Sequence, residues 1–187
     1  MPTTVDDAEI HQIVQHVVQQ ALGTIERGQT SASTSSARRV VAIGADHGGF
    51  ELKEALKSEL NTLGFELNDL GTNSKESVDY PDFAHAVAQS VSTGKAWRGI
   101  MIDGAGIGSC IVANKVPGVR AGMAYDVSSA INSREHNDTN VLTLGAGLIG
   151  VSLAKQIVKT WLTTEFGGDR HARRVDKIKS VERQYLK

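Results

Sequence analysis

The chain has 187 residues, of which 40% are apolar and 22% are charged, a composition that suits one globular domain and excludes wholesale disorder. The 20 basic and 21 acidic residues leave a net charge of −1, which excludes a protein that coats nucleic acid or an anionic membrane. The single cysteine, Cys110, cannot form an intrachain disulfide, and the sequence has neither a run of about 18 apolar residues nor a secretory signal, so we expect a reducing, cytoplasmic location.

Residues 1–27 carry the pattern of an amphipathic helix. Their apolar residues follow the i, i+3, i+4, i+7 spacing of one helix face, while Gln, His and Glu occupy the opposite face. Residues 28–38 include the segment SASTSS and predict a flexible linker. We expect the helix to pack on its own core or on a partner subunit, or to dock into a groove of another protein. Its apolar face consists of Ile10, Ile13, Val14, Val17, Val18, Ala21, Leu22 and Ile25.

Residues 39–187 alternate between strand and helix patterns. Such alternation favours parallel strands that are joined by right-handed crossovers. We therefore predict an α/β fold, a doubly wound, Rossmann-like, five-stranded parallel sheet in three α/β/α layers. The predicted strands are 39–46, 65–71, 98–103, 119–125 and 139–145, and the predicted helices are 51–60, 83–91, 107–115, 128–136, 151–162 and 172–186.

Five polar clusters are spaced along this domain. Ligands of doubly wound sheets bind outside the carboxyl ends of the strands, where the strand order reverses. We expect all five clusters to lie at that edge of the sheet. They are DHGG at 46–49, DYPD at 79–82, DGAGIG at 103–108, REHND at 134–138 and GGDRHARR at 167–174.

The DGAGIG cluster combines a carboxylate with a glycine loop. Gly104, Gly106 and Gly108 lie between a strand and a helix, where backbone N–H groups can converge on an anion. A glycine triplet taken alone more often marks a tight turn. With the Asp103 carboxylate beside it, the loop suits proton abstraction next to a carbonyl, in which the base takes the carbon-bound proton and the amides hold the enediolate oxygen.

Two further patterns each allow a structural explanation. Gly145, Gly147 and Gly150 match the G-x-G-x-x-G fingerprint of dinucleotide sites, but no further strand ending in an acidic residue follows them. We interpret them as packing and turn positions, and we expect neither a cofactor nor a metal ion. Arg170 and Arg174 share one helix face and suit a phosphate, although a solvated basic helix start has the same pattern.

The clusters carry a family resemblance that covers residues 39–187. Its segments are GADHGGFELKEAL, SVDYPDFA, GAGIG, ANKVPGVRA, SREHNDTNVLTLGA and GGDRHARRV, in that order. The domain resembles ribose-5-phosphate isomerase type B and its sugar-phosphate isomerase relatives, which include the galactose-6-phosphate isomerase subunits. The resemblance implies a metal-free aldose–ketose isomerase, with ribose 5-phosphate and ribulose 5-phosphate as the first choice of substrates. It also implies a homodimer or tetramer with sites at the subunit interface.

The resemblance implies roles for individual residues. It assigns ring opening to Asp46 and His136, and stabilisation of the enediolate to the loop from Gly104 to Gly108. Because the family's sites lie at subunit interfaces, His136 is expected to serve a partner's pocket. The phosphate is assigned to His47, Arg170 and Arg174, and contacts with the sugar to Tyr80 and Asn137.

The sequence departs from the family at positions that matter for catalysis. Asp103 stands where the family usually has a cysteine base, Ala105 where it has a hydroxyl residue, and Gly147 where many relatives have an arginine. Some relatives place a glutamate base just beyond the glycine loop, where this chain has Ser109 and Cys110, so Asp103 is the base candidate. Two alternatives stay open: a cargo protein that binds a sugar phosphate without converting it, and an isomerase of a different pentose or hexose phosphate.

The helix and linker at the N-terminus resemble the encapsulation peptides of bacterial microcompartment enzymes. This resemblance implies docking to a shell protein through residues 5–26 and a location in the microcompartment lumen.

Overall fold

The computed structural model of the protein describes residues 39–186, in which strands and helices alternate. The predictions of an amphipathic helix at 1–27 and of a linker at 28–38 lie outside the described residues. The strands are β1 (Val40–Ala45), β2 (Glu66–Asp69), β3 (Arg98–Asp103), β4 (Ala121–Met123) and β5 (Val141–Gly145). The helices are α1 (Phe50–Thr62), α2 (Tyr80–Ser92), α3 (Ile107–Ala113), α4 (Val127–Asn137), α5 (Val151–Thr163) and α6 (Asp169–Tyr185).

The five strands form one parallel sheet in the order β2-β1-β3-β5-β4. This confirms the predicted Rossmann-like fold with helices on both faces. Strand β1 has β2 on one side and β3 on the other, so the strand order reverses between β1 and β3. The register places Ile100 of β3 opposite Ile43 of β1 and Leu142 of β5.

Both faces of the sheet are buried, which is why its central strands are continuous apolar runs. Successive side chains of a strand point to opposite faces, so Ile43 and Ile102 join one apolar cluster and Met101 joins the other. The first cluster includes Trp161 of α5, and the second includes Val87 of α2. No helix within residues 39–186 is long and apolar enough to cross a membrane.

Two elements differ in length from the sequence prediction. Helix α2 begins at Tyr80, three residues before the predicted start, because Pro81 is well suited to a first helical turn. Backbone N–H groups in that turn have no partner within the helix, so proline, which has no N–H, costs no hydrogen bond there. Strand β4 has three residues instead of seven, since it lies at the edge of the sheet and pairs with β5 alone.

The polar clusters are divided between the two ends of the strands. We call the side where the strands end the carboxyl edge of the sheet, and the side where they begin the amino edge. Asp46 and Asp103 lie at the carboxyl ends of β1 and β3. Helix α4 runs back from β4 and ends at Asn137, next to the amino ends of the strands, where the Asn140 carbonyl accepts a hydrogen bond of 2.9 Å from the Gly99 N–H. The two edges are separated by the length of β3, about 17 Å.

Candidate active site

The loop after β3 has a shape that requires glycine. Gly106, the N-cap of α3, has a φ of 78°, in the left-handed region that side chains disfavour. A Cβ at this position would also lie 3.0 Å from the carbonyl carbon of Leu144 in β5. The loop therefore turns sharply and brings the first N–H groups of α3 next to Asp103.

The Asp103 carboxylate fills the centre of this loop. Its Oδ1 atom accepts hydrogen bonds from the backbone N–H of Ala105, at 2.8 Å, and from that of Gly106. Its Oδ2 atom accepts from the backbone N–H of Ser109, at 3.1 Å, and from the Ser109 hydroxyl, at 2.5 Å. Asp103 is 4% exposed. The N–H groups of Ala105 and Gly106 thus bind the protein's own carboxylate, and the role of the loop in stabilising an enediolate stays a prediction.

Tyr80 lies over the first turn of α3. A Cβ built on Gly108 would lie 2.5 Å from Cζ of Tyr80 and 2.6 Å from its hydroxyl oxygen. Glycine at 108 therefore admits the phenol ring. Gly108 directly precedes Ser109 in the first turn of α3, so the Tyr80 ring lies close to Ser109. Tyr80 is 38% exposed.

Asp46 and His47 complete the group at the carboxyl edge. Asp46 Oδ1 accepts a hydrogen bond of 2.9 Å from the Gly49 N–H and so closes the turn that begins α1. The exposed His47 ring has its Nδ1 atom 3.2 Å from both the backbone N and the backbone O of Val78. A Cβ on Gly48 would lie 3.4 Å from Asp46 Oδ1 and 3.6 Å from the Gly104 nitrogen, so the turn after β1 lies against the glycine loop.

The other predicted site residues lie together at the amino edge. His136 and Asn137 end α4, while Arg170 and Arg174 belong to the first turns of α6. The Gly167 N–H donates a hydrogen bond of 2.9 Å to the Glu135 carbonyl, which holds the start of α6 against the end of α4. The expectation that the clusters at 134–138 and 167–174 lie at the carboxyl edge is therefore wrong, because α4 returns to the opposite edge.

Two stacked histidines form the centre of the amino-edge group. The rings of His136 and His171 are 4.1 Å apart between centroids and 7° from parallel. Burial lowers the pKa of His171 below its ordinary value, and the neighbouring His136, Arg170 and Arg174 lower it further. His171 is therefore mainly neutral at pH 7, and its Nδ1 atom has no hydrogen-bond partner within residues 39–186. The Nδ1 atom of His136 lies 2.9 Å from the side-chain nitrogen of Asn132.

Ser109 and Asn132 are not among the site residues that the sequence predicts. The signal for Ser109 is its place as the third residue of a helix that follows the Asp103 loop, since N–H groups in a first helical turn lack partners within the helix. Cys110 is half-buried, and its Sγ atom lies 3.5 Å from the Ala121 carbonyl oxygen, in agreement with a packing role. The packing interpretation of Gly145 also agrees with the structure, because a Cβ there would lie 2.6 Å from the carbonyl oxygen of Ala105.

The reversed strand order and the polar groups at the carboxyl edge define an α/β protein with a candidate active site at its strand ends. A family model described as "Ribose/Galactose Isomerase" matches residues 41–178. The chain belongs to this family of sugar-phosphate isomerases.

Individual relatives match the domain over nearly their whole length. Ribose-5-phosphate isomerase B of Escherichia coli K12 is 44% identical over 144 residues, which cover 77% of this chain and 97% of the relative. D-erythrulose-4-phosphate isomerase of Pectobacterium atrosepticum is 42% identical over 145 residues, which cover 77% of this chain and 95% of the relative. The solved structure of Clostridium thermocellum ribose-5-phosphate isomerase B has a TM-score of 0.77 at 50% identity and covers 79% of this chain and 99% of its own.

Proposed function

We propose that the protein interconverts ribose 5-phosphate and ribulose 5-phosphate through an enediolate, without a metal ion. The observation that carries this proposal is the buried Asp103 carboxylate, which stands at the position of the family base and is held by a glycine loop that lies against Tyr80 and the turn of His47. The reaction needs a base that removes the proton from C2 of the aldose and returns it to C1. A carboxylate performs the equivalent step in triosephosphate isomerase.

We assign proton transfer to the Oδ2 atom of Asp103. Both donors to Oδ1 are backbone N–H groups, which cannot turn away, whereas one donor to Oδ2 is the rotatable hydroxyl of Ser109. Rotation of this hydroxyl frees a lone pair of Oδ2, while the Ser109 N–H still holds the carboxylate. Catalytic hydrogen bonds commonly realign in this way when substrate binds.

The remaining roles follow the family and divide between two subunits. We assign ring opening to Asp46 and His136, the phosphate to His47, Arg170 and Arg174, and the sugar to Tyr80 and Asn137. Because the sheet separates the carboxyl-edge residues from the amino-edge residues within one chain, each site needs the amino-edge group of a second copy. The proposed assembly is therefore a homodimer or tetramer with shared sites.

Subunit complementation tests the shared site. Asp103→Asn subunits and Arg170→Gln/Arg174→Gln subunits are each expected to be inactive alone. After mixed refolding in equal amounts, a symmetric dimer is expected to regain about a quarter of the wild-type activity, because half of the dimers are hybrids with one intact site. Each variant refolded alone is the control. Hybrid dimers are isolated with a different affinity tag on each variant. Inactive hybrid dimers would contradict the shared site.

The base is tested in the homogeneous enzyme. Asp103→Asn is expected to lower kcat for ribose 5-phosphate by about 100-fold or more, while calorimetry still detects substrate binding. Asp176→Asn, on the exposed side of α6, is the matched control and is expected to keep full activity. An unchanged kcat in Asp103→Asn removes Asp103 from the mechanism.

One observation favours a second candidate function, a protein that binds a sugar phosphate without converting it. Four donors already engage the Asp103 carboxylate, so its lone pairs are occupied. Turnover assays and calorimetry with a panel of tetrose, pentose and hexose phosphates distinguish the isomerase from the binding protein. Binding without turnover of any sugar supports the second candidate, and turnover of another sugar reassigns the substrate.

A further inference from the structure

A polar cavity of about 360 Å³ opens at the amino edge of the sheet, away from Asp103. Its wall comes from residues at the amino ends of β1, β3, β4 and β5, from the end of α4 and from the connection between α5 and α6. Four guanidinium groups face two carboxylates across it, an excess of two positive charges. The charged residues are Arg39, Arg98, Arg120, Arg134, Asp138 and Glu165.

Asp138 forms ion pairs with two of the four arginines of this cavity, Arg120 and Arg134. Its Oδ2 atom lies 2.7 Å from Nη2 of Arg120, and its Oδ1 atom lies 2.8 Å from Nη1 of Arg134. The single negative charge of Asp138 is thus shared by two guanidinium groups. Glu165 is the other carboxylate in the wall, and within residues 39–186 it forms no ion pair with Arg39 or Arg98.

Arg98 is a buried cation that keeps donors free. It is 3% exposed, and its Nη1 atom donates to the carbonyls of Trp161 and Leu162 at the end of α5, at 2.8 and 3.0 Å. Its Nε and Nη2 atoms have no acceptor in the part of the chain that the structure describes. Burial and repulsion from Arg134 lower the pKa of Arg98 to about 10, against the attraction of Glu165 and Asp138, so the group is still charged at neutral pH. Glu165 and Asp138 attract this charge only from beyond ion-pair distance, so an anion in the cavity would give Arg98 a counter-ion in direct contact.

Trp97 holds Arg39 and Arg98 in place. The Arg39 guanidinium carbon lies 4.3 Å from the centroid of the Trp97 ring, and that of Arg98 lies 4.0 Å from the same ring. These cation–π contacts restrict both side chains at the mouth and at the base of the cavity. Trp97 also lines the cavity.

We propose that this cavity binds a phosphate group, held by Arg39 and Arg98, either as inorganic phosphate or as part of a small phosphorylated metabolite. Guanidinium forks match phosphate oxygens through paired N–H donors, and the excess of two positive charges matches a phosphate dianion. The cavity is connected to the amino-edge group, because the Nε atom of Arg120 donates to the Asn137 carbonyl at 3.2 Å. The proposed site does not depend on whether Asp103 is a catalytic base.

Calorimetric titration with inorganic phosphate tests the site in the full-length Arg170→Gln/Arg174→Gln protein, which lacks both arginines assigned to the substrate phosphate. We expect phosphate to bind and to change the tryptophan emission, to which both Trp97 and Trp161 contribute because both rings contact Arg98. Arg39→Gln is expected to weaken binding about tenfold, and Glu165→Gln to tighten it several-fold, because they change the cavity charge in opposite directions. Lys159→Gln, which removes a surface charge on α5, is the matched control and is expected to have no effect.

Ribose 5-phosphate is the second probe in the same protein and distinguishes the two sources of the phosphate group. If only this ester binds and Arg39→Gln weakens that binding, the cavity is assigned to a phosphorylated metabolite, whereas binding of both probes with the same dependence on Arg39 assigns it to phosphate in general. The proposal is overturned if neither probe binds, or if the Arg39, Glu165 and Lys159 variants have equal affinities. It is also overturned if phosphate binds only after residues 1–37 are deleted, because the chain itself then fills the cavity.

Discussion

The Ser109 hydroxyl donates a hydrogen bond of 2.5 Å to Oδ2 of Asp103, and both residues are buried. This bond joins the carboxyl end of β3 to the first turn of α3. It therefore couples the position of the candidate base to the position of the helix over which Tyr80 lies.

We expect Ser109→Ala to lower the free energy of unfolding by about 1–3 kcal/mol, because it removes a donor from a buried carboxylate. In the Asp103→Asn background the same change is expected to cost less, since the charged acceptor is gone, with a coupling of about 1 kcal/mol in the double-mutant cycle. Urea unfolding measures all four proteins. Ser58→Ala, on the exposed side of α1, is the control. Additive effects of the two substitutions would contradict the coupling.

Gly108→Ala tests the contact with Tyr80. The new Cβ would lie 2.5 Å from the ring, so we expect the ring to be displaced, with a loss of about 1–3 kcal/mol in stability and a fall in kcat/KM. Gly150→Ala is the matched control, because nothing lies within 4 Å of a Cβ at that position. Adding Tyr80→Ala to Gly108→Ala should recover much of the lost stability. A double variant as unstable as Gly108→Ala would show that the clash lies elsewhere.

Acidification is expected to destabilise the fold through His171. The pKa of His171 in the folded protein lies below its ordinary value of about 6.5, so the unfolded chain binds more protons once the pH falls below that value. Stability is therefore lost from about pH 6.5 downward. The free energy of unfolding at pH 7.5 and at pH 5.5 measures this loss. His171→Phe, which keeps a ring against His136 but cannot titrate, is expected to show a smaller loss, and an equal loss would exclude His171 as the cause.

Deletion of residues 1–37 tests the prediction for the N-terminal segment. We expect the shortened chain to fold and to keep its turnover, because residues 39–186 contain the complete sheet and both apolar clusters. We expect it to lose co-sedimentation with microcompartment shell proteins, which the full-length chain would retain. Thermal unfolding and sedimentation assays measure the two effects. An unfolded core after deletion would show that the segment packs on its own domain.

The sequence by itself determined the layers of the fold and pointed to most residues of the candidate site. Apolar runs at β1, β3 and β5 are continuous because both faces of a parallel sheet are buried, and this property is local enough to be seen in the residues. The glycine loop was equally visible, because a left-handed residue such as Gly106 leaves a local signal.

Only the tertiary structure decided which groups meet. The rule for strand ends predicts the end of α4 at the carboxyl edge, but a helix that follows a parallel strand returns to the opposite edge, so His136 and Asn137 lie far from Asp103. The four hydrogen bonds on Asp103 and the approach of Arg39 and Arg98 to Trp97 depend on side-chain directions and on contacts between segments distant in the chain. Such contacts leave no periodic trace in the sequence, because their energies come from distances of a few ångström that only packing establishes.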